Sequence, residues 1–142
     1  AASDVYKRQI PHRPPFLLID EVLELSDSHV IGLRRVEETE SWVEGHFPGA
    51  PVMPGVLQVE FMAQAGGVLV LNTVPDPENY LTFFARIENA KFKRTVVPGD
   101  VLIFKLELLS PIRRGISHMI ARAYVNGELT TEAEMKAKII EK

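Results

Sequence analysis

The sequence predicts an α+β fold in which a curved antiparallel sheet of about six strands wraps around one long helix. Residues 55–71 are almost entirely apolar and are long enough for a helix of about 25 Å. Their apolar side chains cover every face of that helix, so other elements must enclose it. Much of the remaining chain reads as strands separated by turns, and a sheet of such strands needs its apolar face covered.

The amino-terminal part of the chain divides into two sections. Residues 1–9 look unlike the rest and are set apart as a possible remnant, which leaves residues 10–142 as a single predicted domain. From Phe16 the chain is strand-like, and two apolar runs flank the polar turn at residues 26–28, a pattern that predicts a hairpin. The polar segment 37–45 is predicted to be a loop anchored by its tryptophan, Trp42.

Local signals set the ends of the helix. Pro54 and Gly55 begin it, because proline is tolerated at a helix start, and Asn72 and Pro75 end it. This apolar run is read as a buried helix and not as a membrane span, because Glu60 interrupts it and no basic flank follows.

The sequence after Pro77 is predicted to be β-structure. Turns are expected at residues 97–100, at residues 111–115 and at Asn126-Gly127, where both residues accept the positive φ of a two-residue hairpin turn. The closing strand alternates between a predicted buried face and an exposed face. The buried face is predicted to hold Thr131, Ala133, Met135, Ala137 and Ile139.

Composition narrows the class of protein. Of the 142 residues, 46% are hydrophobic and 25% are charged, as in an ordinary soluble globular protein. The net charge of −3 gives no reason to expect a nucleic acid or an anionic membrane as partner. The chain has no cysteine, which excludes disulfides, thiol nucleophiles and cysteine-ligated metals. We expect a cytoplasmic protein without a signal peptide.

The segment from His46 to Gln64, HFPGAPVMPGVLQVEFMAQ, carries the residues best suited to chemistry. His46 lies among turn residues just before the helix, where a rigid loop can present an imidazole to a pocket as a base near neutral pH. Glu60 is the first carboxylate on the apolar helix, where desolvation favours the protonated form that can act as an acid. Gln64 follows one turn later, at a spacing that lets its amide hold the carboxyl.

Gly55 adds a third element to this segment. The first N–H groups of a helix lack intrahelical partners, and the helix dipole favours negative charge near them. The Gly55 N–H is therefore a candidate donor to an acyl carbonyl that becomes enolate-like, and glycine allows the substrate to come close to the backbone.

Other chemistry is poorly represented. The sequence has no metal-ligand cluster, no nucleophile elbow and no phosphate- or dinucleotide-binding glycine loop. A modest basic run is read either as a solvated strand face or as a docking patch for an acidic protein. Its residues are Lys91, Lys93 and Arg94, joined by Arg113 and Arg114.

The segment from His46 to Gln64 closely resembles the signature of the FabZ-type (3R)-hydroxyacyl-acyl-carrier-protein dehydratases of type II fatty acid synthesis. Residues 11–20, PHRPPFLLID, resemble the opening segment of that family. Residues 90–94, the turn at 97–100 and residues 127–135 resemble its later strands, so the resemblance covers residues 10–142.

The resemblance implies a hotdog fold and a homodimer, commonly assembled into a trimer of dimers. It implies that His46 of one chain and Glu60 of its partner form each catalytic site, with Gly55 as the oxyanion donor and Gln64 orienting the glutamate. No metal or redox cofactor is implied. The substrate would arrive on the phosphopantetheine arm of acyl carrier protein, which would give Lys91, Lys93 and Arg94 a docking role.

Two positions near the motif bear on the type of substrate. FabA-type dehydratase–isomerases carry aspartate at the acid position and cysteine after the Pro-Gly, whereas this chain has Glu60 and Val56, which favours simple dehydration. The family usually has alanine after the glutamate, and Phe61 stands there in this chain. Val56 and Phe61 are therefore candidate substrate-binding residues. The preferred acyl length stays open.

Three functions from different classes are compatible with such a fold. Dehydration is the preferred one, a hotdog acyl thioesterase is the second, and a non-catalytic module that binds carrier protein is the third. Hydrolysis would release a free thiol without an enoyl product, and a binding module would show no turnover.

Overall fold

A computed structural model of the chain describes residues 19–142. These residues form six strands and one α-helix, together with a short 3-10 turn at Pro77–Asn79. The elements in chain order are β1 (Glu21–Leu25), β2 (His29–Arg35), α1 (Gly55–Leu71), β3 (Tyr80–Phe92), β4 (Val101–Leu108), β5 (Ile116–Val125) and β6 (Glu128–Glu141).

The six strands form one antiparallel sheet with the order β1-β2-β4-β5-β6-β3. Helix α1 contacts β2 to β6, and its residues from Phe61 to Leu71 are all buried. The predicted fold class is confirmed. The sheet curves around the helix, which explains why its apolar residues are not confined to one side. Within residues 19–142, no helix is both long enough and apolar enough to cross a membrane.

Most of the predicted boundaries are also confirmed. Helix α1 begins at Gly55 and ends before Asn72, and the polar turn at residues 26–28 joins β1 to β2. Asn126 and Gly127 have φ values of 50° and 78°, as the hairpin between β5 and β6 requires. The closing strand alternates as expected: Thr131, Ala133, Met135 and Ala137 are buried, and Ile139 is half-buried.

A long connection between β2 and α1 contains turns but no helix or strand. Trp42 anchors this connection as predicted, since it packs against the hydrophobic core. Its carbonyl oxygen accepts hydrogen bonds from the N–H groups of Gly45 (3.2 Å) and His46 (2.9 Å). The core therefore sets the position of the segment that carries His46.

Two sequence-based expectations fall outside the described residues. They are the separate status of residues 1–9 and the start of the first strand at Phe16. The described part of that strand, β1, begins at Glu21 and pairs with β2.

Gly32 on β2 leaves the space that the core requires. It lies directly opposite Phe104 on β4, and a Cβ atom at Gly32 would overlap the Phe104 ring, which is fully buried. We expect Gly32→Ala to lower the free energy of unfolding by about 1–3 kcal/mol, because the ring must move within a close-packed core. Denaturant unfolding measures the change. Gly45→Ala is the matched control, since no atom lies within 4 Å of its added Cβ, and equal losses in both variants would contradict the overpacking argument.

Candidate active site

Backbone hydrogen bonds fix His46 in the connection that precedes α1. Its N–H donates to the Trp42 carbonyl (2.9 Å), and its own carbonyl accepts from the Val52 N–H (2.7 Å). The peptide bond between His46 and Phe47 is cis, and the two rings stack with their centroids 4.1 Å apart. Hydrogen bonds thus hold the backbone of His46 to the residues before and after it in the loop.

The side chain of His46 is held in one tautomer. Its Nδ1 lies 2.7 Å from the carbonyl oxygen of Val52. A carbonyl oxygen can only accept, so in the neutral ring Nδ1 carries the proton and Nε2 carries the lone pair. His46 is therefore arranged to act as a base through Nε2.

His46 lines a cavity of about 460 Å³ at the start of helix α1. Gly55 lies at the same cavity, and its N–H belongs to the first turn of the helix, where backbone donors lack intrahelical acceptors. A Cβ atom on Gly55 would come within 2.7 Å of the Phe92 ring. Glycine thus allows the aromatic ring to lie over the helix start. The cavity is lined by His46, Val52, Met53, Gly55, Val56, Gln58, Phe92, Lys93, Arg94 and Thr95.

Glu60 and Gln64 lie further along α1 and are not among the residues that line this cavity. The predicted contact between them is present: Gln64 Nε2 donates to Glu60 Oε1 at 3.2 Å. Glu60 follows Gly55 by five residues, which is a rotation of about 140° around the helix axis. The carboxyl of Glu60 therefore projects from a different side of α1 than the side that faces His46.

The basic residues divide into two groups. Lys91 lies at the end of β3, and Lys93 and Arg94 follow it at the rim of the cavity. Arg113 and Arg114 belong to the turn before β5, next to residue 139 of β6, whereas Lys91 pairs with Glu132. Seven residues of strand separate these two positions, or about 23 Å. The prediction that Arg113 and Arg114 join the other three basic residues in one patch is wrong, because the two groups lie beside opposite ends of β6.

Acidic neighbours reduce the charge of the basic rim. Arg94 forms an ion pair with Glu128 at 3.1 Å. A hydrogen bond from Arg122 holds the pKa of Glu132 below its usual value, and the charges of Arg122, Lys91 and Lys93 add to this effect. No ion pair to Lys93 occurs in the described part of the chain, so its ammonium is the more available cation for a partner.

Among residues 19–142, no group of His, Cys, Asp and Glu could hold a metal ion.

Comparison with known proteins identifies the family. Residues 10–134 match the model of the FabA-like domain. The 3-hydroxyacyl-acyl-carrier-protein dehydratase FabZ of Desulforamulus reducens is 46% identical over 134 residues, which cover 94% of this chain and 93% of that protein. The chain belongs to the FabZ dehydratase family.

Other relatives differ in length. The bifunctional enzyme LpxC/FabZ of Porphyromonas gingivalis is 52% identical over 135 residues, which are 95% of this chain but only 29% of that enzyme. The chain thus spans less than a third of the length of the bifunctional relatives that it matches.

The fold recurs in a solved structure of much lower sequence identity. The dehydratase heterocomplex ApeI:P from Xenorhabdus doucetiae contains a chain that superposes with a TM-score of 0.79 at 20% identity, covering 96% of this chain and 91% of that chain. This likeness supports the hotdog fold that the FabZ resemblance implied.

Phe61 departs from the usual FabZ pattern and lies away from the cavity. Its side chain is only 1% exposed, and the guanidinium of Arg34 lies 5.5 Å from the centre of its ring. Within one chain Phe61 therefore packs in the core beneath Arg34. A direct contact between Phe61 and substrate remains a prediction.

The cavity also contains residues that sequence reasoning did not single out. Gln58 is 2% exposed and lines the wall three residues after Gly55, and Phe92 and Thr95 form part of the opposite wall. Gln58 is one of three polar residues on α1, with Glu60 and Gln64, and it lies three positions after Gly55. That spacing, which places Gln58 on the same side of the helix as Gly55, was the available signal. Phe92 and Thr95 carry no comparable local signal, because the folding of β3 over the helix start brings them to the site.

Proposed function

We propose that residues 10–142 act as one dehydratase domain that removes water from a (3R)-hydroxyacyl thioester on acyl carrier protein and yields the trans-2-enoyl thioester. The observation that carries the proposal is His46, whose Nδ1 is tied to the Val52 carbonyl so that the basic Nε2 is available beside the N-terminus of α1. Membership of the FabZ family supports the same reaction and its place in type II fatty acid synthesis.

The proposed reaction uses two proton transfers. His46 Nε2 takes the α-proton while the Gly55 N–H stabilises the charge that develops on the thioester carbonyl. Protonated Glu60 gives its proton to the 3-hydroxyl group, which leaves as water as the double bond forms. His46 then holds a proton and Glu60 is ionised, and exchange with water restores both. These steps call for no metal or redox cofactor.

We infer that two chains complete each site. Glu60 projects from a different side of α1 than the His46 cavity, so a second chain is the natural source of the acid. Strand β3 forms an edge of the sheet and exposes three large apolar side chains, Phe83 (51%), Ile87 (44%) and Phe92 (54%). An exposed apolar edge strand is suited to pairing with another chain. A homodimer through β3, assembled further into a trimer of dimers, is therefore the proposed oligomer.

The basic rim of the cavity is the proposed docking site for the acidic carrier protein. We expect Lys93→Glu combined with Arg94→Glu to raise the KM for acyl-carrier-protein substrates about tenfold, because complementary charges speed encounter and orient the partner. The KM for short thioester mimics should change far less. Steady-state kinetics with both kinds of substrate measure the difference.

Arg113→Glu combined with Arg114→Glu is the matched control for docking. It makes the same charge change at the far end of the sheet, so it tests whether net charge alone is responsible. Equal effects of the two double variants, or equal effects on both kinds of substrate, would contradict docking at Lys93 and Arg94.

Ultraviolet absorbance tests the proposed reaction directly. The purified chain is mixed with crotonyl and 3-hydroxybutyryl thioesters, and the enoyl thioester absorbance is followed in both directions. Interconversion is expected for the native chain. Release of free thiol without an enoyl signal would indicate a thioesterase, and a shifted double bond would indicate FabA-type isomerisation. Carrier-protein binding without turnover, on acyl chains of several lengths, would indicate a binding module.

A further inference from the structure

Gln58 places a buried amide in the wall of the catalytic cavity. It lies three residues after Gly55 on α1, so the two residues share one side of the helix, and both line the cavity. Gln58 is only 2% exposed to solvent. Burial of an amide is costly unless its polar atoms have partners, so the environment of each atom shows what the residue can do.

Two threonines of β6 bind the oxygen of this amide. The Oγ1 atom of Thr131 lies 2.6 Å from Gln58 Oε1, and that of Thr130 lies 3.0 Å from it. A separation of 2.6 Å is typical of an O–H···O hydrogen bond, as expected for a hydroxyl group that donates to the amide oxygen. Thr130 has a second acceptor in the Ala123 carbonyl at 3.2 Å. Thr131 is therefore the principal anchor of the amide.

This anchoring leaves the other end of the amide for a ligand. No described residue accepts a hydrogen bond from Gln58 Nε2, and the nearby cavity wall is largely apolar. The apolar lining side chains are Val52, Met53, Val56 and Phe92. An acceptor on a molecule that fills the cavity would satisfy this donor.

We propose that Gln58 Nε2 is a second donor to the thioester carbonyl oxygen of the substrate, beside the Gly55 N–H. Side chains on a helix lean toward its N-terminus, so the amide of Gln58 is directed back toward the level of Gly55. A carbonyl oxygen can accept two hydrogen bonds, and both strengthen as the oxygen gains charge in the enolate-like state. This inference rests on the proposed dehydratase function and adds a residue to its oxyanion site.

The test compares Gln58→Met with Thr131→Val in the two-direction absorbance assay. Gln58→Met keeps the length of the side chain and removes the donor, so kcat is expected to fall about 100-fold in both directions with little change in KM. Thr131→Val keeps the shape of the residue and frees the amide to rotate. Its expected loss in kcat is about tenfold. In the double variant the loss should equal that of Gln58→Met alone, because Thr131 acts only through Gln58.

Ser117→Ala is the matched control for removing a buried hydroxyl. Ser117 is fully buried on β5 and donates to the Ala137 carbonyl, away from the cavity, so kcat is expected to stay unchanged. Melting temperatures of all variants show whether the fold is retained.

Three outcomes would overturn the inference. One is a lowered melting temperature with unchanged kcat in Gln58→Met and Thr131→Val, which would give Gln58 a purely structural role. Another is a KM that rises for the 3-hydroxyacyl thioester but not for the enoyl thioester, which would indicate that Gln58 Nε2 donates to the 3-hydroxyl group and not to the thioester carbonyl. The third is a fully additive double variant. An inactive native chain would instead overturn the proposed function, so the two failures are distinguishable.

Discussion

His46→Ala is expected to lower kcat/KM for dehydration by about 1,000-fold or more, because the variant lacks the base that we propose removes the α-proton. Its stability should change little, since the His46 side chain is only partly buried at the edge of the cavity. The absorbance assay and thermal unfolding measure the two effects separately. His118→Ala is the matched control: that histidine lies on β5 beside Glu134, and its loss should leave turnover intact.

His46→Asn separates proton transfer from loop geometry. In the native chain the Val52 carbonyl accepts a hydrogen bond from His46 Nδ1. The asparagine amide can still donate to that carbonyl, but an amide cannot act as a base near neutral pH. Turnover should therefore be lost as fully as in His46→Ala. Activity close to that of the native chain in either variant would refute the assignment of His46 as the base.

Glu60→Gln is the second change with a large expected effect. The substitution keeps the size of the side chain and its ability to bond Gln64, but it removes the proton that would go to the departing hydroxyl. We expect kcat to fall by about 100-fold to 10,000-fold. The melting temperature should stay near that of the native chain. Retained turnover would show that Glu60 has no role in proton transfer.

Mixing the two inactive variants tests whether sites are shared between chains. A mixed dimer of His46→Ala and Glu60→Gln would contain one site with both changes and one site with neither. Random mixing should therefore recover about a quarter of the native activity per chain. No recovery in verified mixed dimers would indicate that His46 and Glu60 of one chain serve the same site.

The fold could be predicted from sequence because its main signals are local. The apolar segment from Gly55 to Leu71 lacks a polar stripe, and only an enclosed helix suits such a pattern. Asn126-Gly127 predicted a hairpin because the backbone of those two residues tolerates the required φ values. In each case the deciding property belongs to a short stretch of chain.

The site could be predicted only in part. His46 and Gly55 lie nine residues apart in a recognisable motif, so sequence could pair them. The role proposed for Gln58 depends on hydrogen bonds from threonines more than 70 positions away on β6, and no local pattern shows that contact. The separation of Arg113 from Lys93 likewise depends on strand order, which residue spacing does not reveal.

The backbone irregularities of β3 affect which strands can pair with its unpaired edge, and so affect the tendency of the chain to aggregate. The pairing of β3 with β6 shifts register between Phe84 and Arg86 and again between Glu88 and Lys91, and Asn89 between the latter two has a φ of 53°. Such bulges bend and twist a strand. A flat, regular strand from an unrelated protein cannot follow that path over its full length, whereas a second copy carries the same bends. The irregular edge thus discourages indiscriminate aggregation and is compatible with the proposed pairing of β3 with a second copy of the chain.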